Sequence, residues 1–144
     1  MALVIDASVA LRWLFDMHGK TQADALLSGR EPLIAPDLIF SEITNAVWEM
    51  ATFASLSSAA ATESVLKSGD FFSEIISSRE LKDAALMISL ELRHPVYDCF
   101  YLALAQQRDC QMISADERLL TRCTGTPFAK RIKPLVNAPS SRRR

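Results

Sequence analysis

Ala2-Leu3-Val4-Ile5-Asp6-Ala7-Ser8-Val9 places four apolar residues before one acid and then returns to small and apolar residues. The run 2–5 is too short for a helix and shows no polar alternation. It therefore reads as a strand buried on both faces, the kind found in parallel sheets. Asp6 falls at its carboxyl end, where a solvated surface acid is not expected. A helix should follow over 9–15, with Ala7 and Ser8 at its start. The same pattern returns late in the chain, where Gln111-Met112-Ile113-Ser114 reads as a strand and Ala115 and Asp116 follow it.

Helical patterning fills the interval between these two strands. Short helices are expected over 21–27 and 59–67, and longer ones over 37–53, 78–92 and 97–108. In the 37–53 segment Leu38, Ile39, Ile43, Ala46, Val47 and Met50 form one apolar stripe, flanked by Glu42 and Asn45. Ser78, in Ser-Arg-Glu-Leu, reads as an N-cap. Pro95 marks a stop, and Asp98 sits in the first turn of the helix after it, where a carboxylate suits the helix dipole. Leu33-Ile34-Ala35 is a short apolar piece closed by Pro36. Residues 71–76 fit strand or helix equally, 117–122 a short helix and 130–135 a last edge strand. Strands separated by helices imply an α/β fold with a parallel sheet, whose ligands bind beyond the carboxyl ends of the strands. Asp6 and Asp116 should point into that crevice.

Composition narrows the classes. The chain has 144 residues, 49% hydrophobic and 23% charged, ordinary for one soluble domain. The longest uncharged stretch, Met50 to Thr62, is 13 residues, short of the roughly 20 needed to span a bilayer. Asp6 interrupts the only apolar run near the N-terminus, so no export signal is expected and the cytosol is the default location. Cys99, Cys110 and Cys123 form no C-x-x-C pair, and His18 and His94 lack two-ligand spacing. The cysteines therefore read as small hydrophobes rather than a zinc site. Among four glycines there is no phosphate-binding loop and no dinucleotide fingerprint.

The net charge of −1 hides an asymmetry. Lys130, Arg131, Lys133 and Arg142 to Arg144 make the last 16 residues carry +6, which leaves 10 bases against all 17 acids before them. Residues 1–136 are expected to form the folded domain and 137–144 a disordered basic tail.

Singly, each notable acid has an ordinary explanation: Asp6 and Asp98 as caps or first-turn acids, Glu42 as a solvated helix residue. Together, several carboxylates converging on one crevice stay ionised only if a cation compensates them. Hard oxygen donors without Cys or His point to Mg²⁺ or Mn²⁺, and phosphate is the natural substrate oxygen for such an ion.

Four motifs, in order, resemble the PIN-domain ribonucleases, and specifically the VapC-type toxins of toxin–antitoxin pairs: Val4 to Val9 (VIDASV), Pro36 to Asn45 (PDLIFSEITN), His94 to Ala105 (HPVYDCFYLALA) and Ile113 to Leu119 (ISADERL). The resemblance implies a three-layer α/β/α fold with a mainly parallel central sheet. It implies that Asp6, Glu42, Asp98 and Asp116 form a catalytic cluster binding Mg²⁺ or Mn²⁺, with Ser8, Asn45 and Ser114 in support. A metal-activated water would then cut RNA. The expected partners are RNA, a cognate antitoxin and a second copy of the chain, with no membrane. Arg12, Arg93 and Arg118 are candidate RNA contacts. Some relatives carry a further Asp or Asn after the last acid; here Glu117 is followed by Arg118 and Leu119.

Other phosphate enzymes fit less well. A haloacid-dehalogenase-like protein needs D-x-D after its first strand, and Ser8 occupies the second place. A receiver domain needs clustered acids there and has only Asp6. A catalytically idle, protein-binding module of PIN-like fold is the main alternative. Trp13, Trp48, Phe53, Phe71 and Phe72 are candidates for interaction surfaces, with burial in the core the preferred expectation for each.

Overall fold

The computed structural model describes residues 1–136; the basic tail expected over 137–144 lies outside them. Five parallel strands carry the fold: β1 (Leu3–Ile5), β2 (Leu33–Pro36), β3 (Glu74–Ile76), β4 (Gln111–Ser114) and β5 (Ile132–Pro134). They lie in the order β3-β2-β1-β4-β5. The apolar run of the opening strand is explained by its central place, where Val4 and Ile5 are wholly buried.

Helices α1 (Ala7–Leu14) and α2 (Lys20–Leu27) join β1 to β2, and α3 (Leu38–Phe53) and α4 (Ser58–Ser68) join β2 to β3. Helices α5 (Ser78–Leu92) and α6 (Val96–Gln107) lead back across the sheet to β4. Helix α7 (Glu117–Cys123) and a 3₁₀ turn (Pro127–Arg131) complete the path to β5. Right-handed crossovers place the first two connections on one face and the last two on the other. The result is a three-layer α/β/α fold with an all-parallel sheet.

The direction of winding reverses between β1 and β4, which are neighbours in register, Ile5 opposite Ile113. This register sets Asp6, just past β1, beside Ser114, the last residue of β4. Open α/β sheets bind their ligands at such a switch point.

Helix α6 packs against β1, β2 and β4 as well as α5, so it is apolar nearly all round: Cys99, Tyr101, Leu102, Ala103, Leu104 and Ala105 are buried. On α3 the buried stripe narrows to Ile39, Ile43 and Val47. Among the described residues no helix is long and apolar enough to cross a membrane.

Several local expectations are corrected. Ser77, not Ser78, caps α5 and accepts the Arg79 N–H at 3.1 Å, while the Ser78 N–H donates to Asp37. Residues 71–76 yield a strand only at Glu74–Ile76, and the chain of the last strand is helical until Arg131. Trp13 is core, its ring 4.9 Å from that of Phe71 and 5.8 Å from that of Phe72. Trp48 and Phe53 are not: they are 56% and 77% exposed because they lie off the Ile39–Ile43–Val47 stripe.

Candidate active site

Asp6 is the anchor of the crevice. It is 5% exposed and is the N-cap of α1, its Oδ1 accepting the Val9 N–H at 3.2 Å. Two hydroxyls supply the remaining hydrogen bonds. Ser8 Oγ donates to Oδ1 and Ser114 Oγ to Oδ2, both at 2.5 Å. Each serine is itself fed from the turn after β4: the Ala115 N–H donates to Ser8 Oγ at 2.9 Å, and the Asp116 N–H to Ser114 Oγ at 3.0 Å. Both hydroxyls thus have their acceptor role taken by backbone, and their protons are committed to Asp6. Despite this support, burial pushes the Asp6 carboxyl up to about 6, and the charge of Asp98 adds to the rise.

Glu42 enters from the second turn of α3 and accepts the Tyr101 hydroxyl at 2.5 Å. Burial raises its pKa, the Tyr101 bond opposes the rise, and Asp98 again adds to it. Tyr101 titrates well above the ordinary phenol range, chiefly because it is buried and also because Glu42, Asp6 and Asp98 are near. Asp98, in the first turn of α6, accepts His94 Nε2 at 2.6 Å.

Of the four expected acids, Asp98 thus acts on both Asp6 and Glu42, and the charges of all three act on Tyr101. Asp116 is engaged differently. Its Oδ1 caps α7, accepting the N–H groups of Arg118 and Leu119 at 3.0 and 3.4 Å. Asn45 is exposed on α3. Among the described residues no group of three or more His, Cys, Asp or Glu side chains is gathered closely enough to form a metal site as it stands.

Of the arginines, Arg12 is committed elsewhere: its guanidinium donates to the His18 and Ser8 carbonyls at 2.6 and 2.5 Å. These two bonds clamp α1 to the turn that follows it, and Arg12 is partly buried. Arg93 and Arg118 are exposed.

The sequence reading missed His94 and Tyr101. Tyr101 stands three residues after Asp98, on the same face of α6, and His94 stands four before it, in the turn that leads into the helix.

The donor chemistry suits a hard divalent ion. All candidate ligands are carboxylate oxygens, and two are held above their ordinary pKa by burial and mutual repulsion. A cation among them offsets both effects.

Comparison with known proteins bears on the family and the fold. The PIN domain family matches residues 3–123. No match was found among curated protein sequences. Two solved structures share the fold. One is the protein PAE2754 from Pyrobaculum aerophilum, at 22% identity and a TM-score of 0.70, covering 94% of this chain and 84% of that one. The other is a toxin–antitoxin complex from Klebsiella pneumoniae, at 15% identity and a TM-score of 0.66, covering 95% and 100%.

Proposed function

The chain belongs to the PIN domain family, whose members are generally nucleases, and on that premise we propose that it is a Mg²⁺- or Mn²⁺-dependent endoribonuclease, the toxin of a toxin–antitoxin pair. The observation that carries this reading is that Asp98 acts electrostatically on both Asp6 and Glu42, three carboxylates from three different elements, with Asp6 at the switch point of a parallel sheet.

In this reading Asp6, Glu42, Asp98 and Asp116 hold the ion. When bound, the ion supplies Lewis acidity toward the scissile phosphate and lowers the pKa of a coordinated water. The protein's own part is orientation. Ser8 and Ser114 fix both oxygens of Asp6, and Tyr101 fixes one oxygen of Glu42. A second oxygen of Asp116 remains beside its α7 cap, so capping and ligation are compatible. No side-chain nucleophile is required. Asn45, one turn beyond Glu42 on α3, would support the site from there.

Residues 1–136 would form the nuclease domain, working in the cytoplasm, with Arg142 to Arg144 in a basic tail. Phosphate contact by Arg93 and Arg118 would be independent of RNA sequence and sensitive to salt. A cognate antitoxin and a second copy of the chain are the protein partners. The fold shared with a toxin–antitoxin complex supports the first. The exposed apolar side chains Trp48, Phe53, Leu66, Leu86, Met87 and Leu90 offer surface for both.

The test is direct. Purified protein with Mg²⁺ should cleave RNA, EDTA should stop it, and Asp6→Asn and Asp98→Asn should each slow cleavage at least about 100-fold. Equal cleavage by wild type and both variants would refute the assignment. The idle-module alternative predicts no rise in melting temperature with Mn²⁺, where an intact site predicts a clear one.

A further inference from the structure

We propose that His94 is a positioning residue for Asp98, holding one carboxylate oxygen so that the other is presented to the divalent ion. This rests on the reading of Asp98 as a ligand.

The turn before α6 is built to deliver the imidazole. Arg93 ends α5 in the left-handed conformation, at φ 54°. The Ser89 carbonyl then accepts the His94 N–H at 3.3 Å, and Ser89 Oγ donates back to the His94 carbonyl at 2.5 Å. The ring is nearly enclosed, its side chain 8% exposed against 29% for Asp98. Nε2 stands 2.6 Å from Asp98 Oδ2. An ionised carboxylate oxygen only accepts, so Nε2 carries the hydrogen and donates it.

The start of α6 explains why Asp98 is available for this contact. An acid at the third helical position ordinarily reaches back to the N–H of the capping residue. Here the cap is Pro95, which has no N–H, and no side chain caps the helix. Asp98 is thereby released from capping and is held by the imidazole instead. Among the described residues Oδ1 of Asp98 takes no hydrogen bond from protein. Ligand carboxylates are commonly oriented by such a second partner, whose loss weakens metal binding by roughly 10–100-fold.

The experiment measures Mn²⁺ binding to the full-length protein, with free Mn²⁺ counted from its electron paramagnetic resonance signal. No RNA and no turnover are involved. Gln places its amide nitrogen near the position of Nε2, whereas Asn reaches only the position of Nδ1 and Leu has no donor. The expected result is His94→Leu and His94→Asn at least about 10-fold weaker than wild type, and His94→Gln within about 3-fold of it. Should His94→Leu fail to fold, the comparison of Gln with Asn decides on its own. If Asp98→Asn abolishes Mn²⁺ binding while the Leu and Asn variants bind as wild type does, or Gln is as weak as Asn, this inference alone is overturned. If wild type shows no Mn²⁺ binding that Asp98→Asn removes, the metal reading falls and this inference with it.

Discussion

Ser114 Oγ donates to Asp6 Oδ2 at 2.5 Å, joining two residues 108 positions apart in the chain. The bond crosses from β4 to the end of β1 at the point where the sheet reverses its winding. Its donor is held in turn by the Asp116 N–H. The carboxylate proposed to hold the metal and a structural tie between strands are thus the same side chain.

Ser114→Ala removes a donor to a buried charged group and orphans the Asp116 N–H. Hydrogen bonds to charged groups are worth about 1.5–3 kcal/mol, so urea unfolding near pH 7 should show a loss of that order. Ser8→Ala removes the matching bond to Oδ1 and should cost a similar amount. Because both act on Asp6, the double variant should depart from additivity. A Ser114→Ala protein as stable as wild type would show that the bond contributes nothing net.

Asp6 also gives the protein a defined pH response. Its carboxyl sits at about 6 in the folded state, against 3.8 for the ordinary group. The folded state therefore binds this proton more tightly than the unfolded one. Stability from this group is fully present below pH 4, declines as pH rises toward 6 and levels off above it. Two pKa units correspond to roughly 3 kcal/mol. In EDTA, the stability difference between Asp6→Asn and wild type should move in favour of Asn by an amount of that order between pH 4 and 7. A difference that stays flat or moves the other way would show that burial of Asp6 does not set its ionisation.

The arginines should separate by role. Arg12→Ala breaks two bonds to backbone carbonyls and should lower the melting temperature. Arg118, exposed on α7, makes no such clamp, so Arg118→Ala should leave stability within about 0.5 kcal/mol. It should weaken RNA binding and make the salt dependence shallower by about one charge. Binding that is unaltered in slope and strength would remove Arg118 from the RNA surface.

Much of this was legible in residue order. The unbroken apolar run at Leu3–Ile5 and the short strand pattern at Gln111–Ser114, each followed by an acid, announced a parallel sheet. Apolar stripes placed the long helices to within a residue or two. What escaped were contacts between distant segments. Nothing local marks Ser114 as the partner of Asp6, and of the two helix-capping acids only Asp6 was read as a cap, not Asp116. Trp48 and Phe53 were misplaced because aromatic character suggests burial, whereas position around the α3 axis decides it. Tyr101 was absorbed into an apolar helix, since a single hydroxyl on a buried face leaves no trace in the hydrophobic pattern.

That hydroxyl carries the last prediction. Tyr101 is 1% exposed, and its O–H is donated to Glu42 Oε1, a carboxylate already raised by burial. Tyr101→Phe keeps the ring and its packing but strips Glu42 of this donor. The carboxylate form of Glu42 loses support, so its pKa should climb further. Near pH 7 the variant should be less stable by about 1.5–3 kcal/mol. In a Glu42→Gln background the charge is gone, and the same change should cost at least about 1 kcal/mol less. The four proteins of this cycle, unfolded in urea with EDTA present, measure that coupling. Equal costs in the two backgrounds would mean that Tyr101 serves the core through its ring alone and does not orient Glu42.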